Sequence, residues 1–151
     1  IAGEGPAKAS LMKQVKGMGL SDHVTFVGYL DRNSELVDCY HAADLFVFSS
    51  LTETQGLVLL EAMASGIPVV SVAAMGTKEV LRNGLGAKIT DGTANDFSAK
   101  VVEVLGDKSL HSNLSQAAIT YAAEWNPRKL AKKMADYYDD IRVGQPPRVA
   151  P

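Results

Sequence analysis

The chain has 151 residues, 46% of them hydrophobic and 21% charged, with a formal net charge of −2. That length suits one α/β domain with a sizeable core, the near-neutral charge gives no electrostatic footprint for nucleic acid or an anionic membrane, and no apolar run is long enough to cross a bilayer. The single cysteine, Cys39, excludes an internal disulfide and fits a reducing compartment.

The chain opens on Ile1-Ala2, with no Met and no signal peptide, and runs at once into Gly3-Glu4-Gly5-Pro6. It reads as a fragment that begins at the end of a strand. Pro6 suits the first position of a helix, whose face carries Leu11, Val15 and Met18 and which stops at Gly17 to Gly19. Gly3 and Gly5 lack the third glycine of a dinucleotide fingerprint, so a plain turn is the better reading. Residues 23–29 (HVTFVGY) predict a strand, and Asp31 or Asn33 caps a helix with Leu36, Tyr40 and Ala43 facing inward. His23, His41 and His111 stand at no metal-ligand spacing, and surface or capping roles suit all three.

Residues 45–71 (LFVFSSLTETQGLVLLEAMASGIPVVS) hold the most information. They read as a buried strand, a polar loop ending at Gly56, a helix over about 56–65, a Gly66-Ile67-Pro68 break and a second buried strand. A loop of small residues (73–76) follows, then a short helix capped by Thr77, a strand over 86–90, and three helices. These are marked by Phe97, Val101 and Val104, by Leu114, Ala118 and Tyr121, and by Leu130, Met134, Tyr137, Tyr138 and Ile141. Residues 1–143 make one domain, and 144–151 a Gly/Pro-rich tail.

Strands alternating with helices predict an α/β, Rossmann-like parallel sheet with helices on both faces. Ligands bind such sheets at the carboxyl ends of the strands. That edge would carry Gly3 and Gly5, residues 28–30, residues 49–56, residues 73–77 and residues 90–93.

A helix starting near Gly56 offers unpaired amides and a positive dipole end to a phosphate, although an ordinary turn glycine explains Gly56 equally well. Glu61 lies about 7 Å further along the axis, where a carboxylate could bind the vicinal hydroxyls of a ribose. Its neighbours 57–60 and 62–64 are all apolar or small, so the helix is expected to be buried nearly all round and Glu61 to need a partner. Glu53 is explained by helix capping, and equally by a place beside a sugar whose anomeric carbon gains positive charge. No Gly-x-Ser-x-Gly motif, metal loop or Asp-x-Asp motif is present, which leaves no metal site in the reading and gives the leaving group to the helix dipole and basic residues.

Glu53-Thr-Gln-Gly-Leu-Val-Leu-Leu-Glu61, followed by Ala-Met-Ala-Ser-Gly-Ile-Pro-Val-Val, resembles the two-glutamate motif of retaining glycosyltransferases with the two-domain GT-B fold, in glycosyltransferase family four, group 1. Ile1-Ala-Gly-Glu-Gly-Pro6, Val24-Thr-Phe-Val-Gly28 and Ala43-Asp-Leu-Phe-Val-Phe-Ser49 match that family's C-terminal half in order and spacing, so the resemblance covers about residues 1–142.

The resemblance implies transfer of a hexose from a nucleotide sugar to a lipid or glycan acceptor, with retention and without an essential metal or other cofactor. Glu61 would bind ribose, the amides of Gly56 and Leu57 the diphosphate, Glu53 with Thr54 and Gln55 the donor sugar, and the backbone of Gly28, Tyr29 and Leu30 the base. It also implies an N-terminal acceptor domain, and a first strand and helix of this domain carrying an Arg and a Lys for the diphosphate. None of these is in the chain. The isolated chain is therefore expected to be inactive, and its missing strand to be supplied by the rest of the protein or by a neighbouring molecule. Nucleotide-sugar supply implies a cytoplasmic location, with peripheral contact at the inner membrane face if the acceptor is a lipid. Two alternatives stand beside this: a GT-B-fold epimerase or phosphorylase, and a non-catalytic nucleotide-sugar-binding or assembly module.

Overall fold

The computed structural model describes residues 1–142; the tail expected from the sequence lies outside them. The described residues fall into two units, Ile1–Ala42 and a second that begins at Ala43.

In the first unit, helix α1 spans Lys8–Gly17 and helix α2 spans Glu35–His41. The strand expected over 23–29 is reduced to one parallel bridge, Ala2 to Gly28. Beside it the Ile1 amino group donates to the Thr25 carbonyl at 2.5 Å, the Val27 amide to the Ile1 carbonyl at 3.0 Å and the Gly3 amide to the Gly28 carbonyl at 2.7 Å. The reason is local, because a strand needs a pairing partner along its length and Ile1 to Gly3 bond only to residues 25, 27 and 28. Pro6 sits in a turn two residues before α1 rather than at its first position. Asp31 does serve the start of α2, accepting from the Asn33 amide and the Ser34 hydroxyl at 3.0 and 2.8 Å. Tyr40 is buried, as the α2 pattern required.

The second unit is built on a parallel sheet of three strands in the order β1 (Phe46–Phe48), β2 (Val69–Val72), β3 (Ala87–Thr90). Phe46 pairs with Val69 and Val69 with Ala87, so the strands start level. All four residues of β2 are buried, including Ser71, which means that both faces of the central strand are covered. Helix α3 (Leu57–Ala64) joins β1 to β2, and α4 (Thr77–Val80) joins β2 to β3. Helix α5 (Ala94–Gly106) starts at Thr93, whose hydroxyl accepts from the Asp96 amide, and α6 (Lys108–Ala122) starts at Asp107, whose carboxylate accepts from the Ser109 and Leu110 amides. Val70, Val104 and Leu114 form a core layer joined by Leu45, Phe97, Val101 and Leu110.

Helix α6 fixes the sheet at its amino-terminal edge. His111 Nε2 meets the Asp44 carbonyl at 2.7 Å, just ahead of β1, and the Ser115 hydroxyl donates to the Gly66 carbonyl at 2.7 Å, ahead of β2. Ahead of β3, a Cβ on Gly86 would lie 2.4 Å from Ala118 Cα. Residues 111, 115 and 118 share one helix face, so one stripe of α6 braces the entry to all three strands. His111 is thus half-buried and bonded rather than a free surface group.

Helix α7 (Pro127–Arg142) carries the expected apolar stripe and buries none of it; Met134 is 54% and Tyr138 63% exposed. No described helix is long and apolar enough to cross a membrane.

The brace at Gly86 gives a stability test. Gly86→Ala adds a methyl group against Ala118 at a residue with φ of +83°. Overpacking and the left-handed backbone together predict a loss of about 3 kcal/mol or more, read as a lower urea midpoint with the slope unchanged. Gly106→Ala, where a methyl meets nothing within 4 Å, should leave the midpoint nearly unmoved.

Candidate functional site

The carboxyl ends of β1 and β2 open into two loops, 49–56 and 73–76, which lie against each other. The first runs into α3. Gly56 occupies the N-cap with φ of +72°, a left-handed conformation that glycine adopts without strain. Glu53 closes this turn: its Oε1 accepts from the Gln55 amide and from the Gly56 amide, both at 3.0 Å. Both bonds fall on one oxygen, and among the described residues none is recorded to Oε2. The Gly56 amide, then the Gln55 amide, hold the Glu53 carboxyl below the usual carboxylate range, with burial acting the other way. A carboxylate is thereby kept ionised at neutral pH beside the positive end of a helix.

The second loop supports the first. The Gly76 amide donates to the Glu53 carbonyl at 3.0 Å, and the Gly76 Cα packs on the Thr54 carbonyl so closely that a Cβ would lie 1.9 Å from its oxygen. Thr77, expected to cap α4, is instead its first residue. Its buried hydroxyl accepts from the Ala74 amide at 2.8 Å and donates back to the Ala74 carbonyl at 2.7 Å, with the Val72 carbonyl 3.1 Å away. Thr54 and Gln55 are exposed, and Leu57 is 47% exposed at the helix start.

Glu61 lies one turn beyond Leu57 on the same face of α3, and both residues line an open groove with Leu60, Trp125 and Pro127. The expectation that α3 is buried nearly all round is corrected here. Leu59, Ala62 and Met63 are buried, while Leu57 and Ala64 are exposed and Val58, Leu60 and Glu61 half-buried. The uniformly apolar sequence hid the polarity of this helix, because one face meets the core and the other a groove. Glu61 is therefore placed by the groove rather than by a closed apolar interior.

Glu53, Thr54, Gln55, Gly56, Leu57 and Glu61 are thus gathered around one end and one face of α3. Gly28, Tyr29 and Leu30 belong to the first unit: Gly28 has φ of +72° at the bridge to Ala2, Tyr29 is 80% exposed and Leu30 half-buried. Among the described residues, no group of three His, Cys, Asp or Glu is arranged to hold a metal ion. Sequence reasoning passed over Gly76 and gave Thr77 only the role of a helix cap. The signal was a small-residue loop directly after a buried strand, with a threonine at its end.

A parallel sheet whose first strand runs through a glutamate-closed turn into helix α3 defines an α/β domain. Comparison with known proteins narrows the class. The family model for "Glycosyl transferases group 1" matches residues 1–121. The chain is 30% identical over 145 residues to N-acetyl-alpha-D-glucosaminyl L-malate synthase of Bacillus anthracis, covering 94% of this chain and 37% of that protein. Among solved structures, a TarM mutant of S. aureus in complex with fondaparinux, alpha-GlcNAc-glycerol and UDP matches with a TM-score of 0.75 at 26% identity, over 89% of this chain and 28% of that one. The C-terminal domain of the group 1 family protein LpcC from Francisella tularensis matches with a TM-score of 0.69 at 26% identity, over 77% of this chain and 60% of that one. The chain belongs to the group 1 glycosyl transferases and has the Rossmann-like fold of the C-terminal half of a GT-B protein. It spans little more than a third of the length of the malate synthase it matches.

The lowered titration of Glu53 gives a prediction with a sign. A carboxyl whose pKa falls on folding stabilises the fold above its unfolded value, near the ordinary 4.5, and that contribution is lost as pH drops through the lower folded value. Glu53→Gln should therefore destabilise the chain at pH 7, and the gap to the parent should close below about pH 4. Urea unfolding at pH 7 and at pH 3 checks this; a gap that is equal at both would contradict it.

Proposed function

We propose that this chain is the nucleotide-sugar-binding part of a longer retaining glycosyltransferase, which moves a hexose from a nucleoside diphosphate sugar to a lipid or glycan acceptor. The observation that carries the reading is the arrangement of two glutamates about one helix, Glu53 in the turn that leads into α3 and Glu61 on the face that lines the groove. Family membership and the UDP in the TarM complex support it.

In this reading the diphosphate sits at the start of α3, where the Leu57 amide and the helix dipole neutralise charge as the leaving group departs, and the bare backbone of Gly56, whose amide is held by Glu53, lets the phosphate come close. Glu61 lies about 6 Å along the axis from Leu57, the span from a diphosphate to the ribose that follows it. Its carboxylate accepts hydrogen bonds from the ribose hydroxyls. Glu53 uses Oε1 to hold its own turn and offers Oε2 to the donor sugar, with Thr54 and Gln55 beside it. Its negative charge stabilises the positive charge that builds at the anomeric carbon. The backbone of residues 28–30 receives the base. The acceptor and the cationic partners of the diphosphate come from the remainder of the protein, so residues 1–142 bind donor but do not turn it over. Donor chemistry puts the enzyme in the cytoplasm, and a lipid acceptor would bring it to the membrane face.

Titration calorimetry of the full-length protein with UDP, GDP and ADP should find one preferred nucleotide. Glu61→Ala should weaken that nucleotide at least tenfold, as expected for losing charge-assisted hydrogen bonds. Glu53→Gln should leave the nucleotide affinity within about threefold and lower kcat about a hundredfold, in the range of a lost electrostatic contact at a reacting centre. Unchanged nucleotide affinity in Glu61→Ala would remove the ribose assignment. Product analysis showing donor rearranged without any acceptor would instead make the protein an epimerase.

A further inference from the structure

We propose that Gly76 and Thr77 are positioning residues for Glu53, holding the glutamate loop at the height where its carboxylate meets the donor sugar. The inference rests on the reading of Glu53 given above, and adds two residues that touch no substrate.

Three observations meet at this loop. Gly76 has φ of −61° and ψ of −25°, an ordinary helical conformation that any residue adopts. Glycine is therefore not required there by the backbone. What requires it is the neighbouring loop: a Cβ would lie 1.9 Å from the Thr54 oxygen, 2.2 Å from the Thr54 carbonyl carbon and 2.8 Å from the Gln55 nitrogen. All three are backbone atoms, which cannot rotate away as a side chain would. The Gly76 amide then ties the Glu53 carbonyl at 3.0 Å. Second, the loop that carries Gly76 is under constraint. Met75 is the one non-glycine residue with positive φ among the described residues, at +46°, a conformation that costs energy and persists only where its surroundings impose it. Third, the group that imposes it is the Thr77 side chain. The Thr77 hydroxyl gathers the Ala74 amide, the Ala74 carbonyl and the Val72 carbonyl, so the loop is strapped to the last residue of β2. At the far end of α4 the Tyr121 hydroxyl donates to the Val80 carbonyl at 2.6 Å. The loop is thus clamped at both ends to rigid elements, and it presents a bare backbone to the residue that would meet the sugar. Reacting groups held by such a support lose rate steeply when they move by about 1 Å.

The loop acts on Glu53 and its turn, whereas Glu61 stands on the groove face of α3. Disturbing it should therefore separate turnover from nucleotide binding. In the full-length protein, Gly76→Ala should lower kcat at least tenfold with the nucleotide sugar used, while affinity for the matching nucleoside diphosphate (UDP, GDP or ADP) stays within threefold. Thr77→Val, which keeps the shape and removes the hydroxyl, should lower kcat at least threefold. Thr77→Ser, which restores the hydroxyl, should return it to within twofold of the parent. If Gly76→Ala does not fold, the Val and Ser pair decides alone. A kcat within twofold of the parent in Gly76→Ala, equal losses in Thr77→Val and Thr77→Ser, or nucleotide affinity falling in step with kcat would each overturn the proposal. A parent protein that binds none of the three nucleotides fails at an earlier and distinguishable point, since it removes the reading of the site itself.

Discussion

Glu53 accepts two amide hydrogen bonds from the turn that follows it, and this one carboxylate fixes where α3 begins. With the Gln55 and Gly56 amides satisfied, the chain can enter the helix through a left-handed glycine. Leu57 and Glu61 are then carried to a face away from the core, while Leu59, Ala62 and Met63 are carried into it. A polar group at a helix start without such a partner would cost on the order of a lost hydrogen bond. The same contact keeps an anion in place at the carboxyl edge of the sheet. Structure and proposed chemistry therefore share one interaction, and the division of labour between the two carboxylate oxygens lets them do so.

The opposite edge of the sheet has its own fixed point. Helix α6 reaches the approach to each strand through His111, Ser115 and Ala118, and ends by tethering α4 through Tyr121. Strands that start level on a braced edge also end at a defined height, because an extended chain has little freedom in its rise per residue. The two loops at the site hang from β1 and β2, which have three and four residues. Rigidity is thus generated on one side of the sheet and used on the other, as is usual where binding loops sit on a fixed scaffold.

Much of this was legible in the sequence. The apolar run at 45–48, the buried-strand pattern at 69–72, the Gly66-Ile67-Pro68 break and the spacing from Glu53 to Glu61 predicted the strand–loop–helix–strand unit, and the structure has it, with β1 starting one residue later. What stayed hidden depends on contacts rather than on pattern. An all-apolar helix gives no amphipathic signal, so the groove face of α3 could not be told from its core face. The strand expected over 23–29 had the right residues, but a strand exists only where a partner runs beside it. Gly76 looked like one more loop glycine. Its significance lies in the Thr54 carbonyl against it, more than 20 positions earlier in the chain. Thr77 was read as a cap because threonine caps helices often, whereas its hydroxyl turns back toward β2 instead.

The measurement closest to the centre of this account is a crystal structure of the full-length protein with its preferred nucleotide sugar bound. The account predicts the diphosphate at the start of α3 within hydrogen-bond distance of the Leu57 amide. It also predicts ribose hydroxyls on Glu61, and the sugar on Glu53 with the Gly76 to Glu53 bond intact. A nucleotide bound away from α3, or a bound donor whose ribose and sugar make no contact with either glutamate, would contradict it.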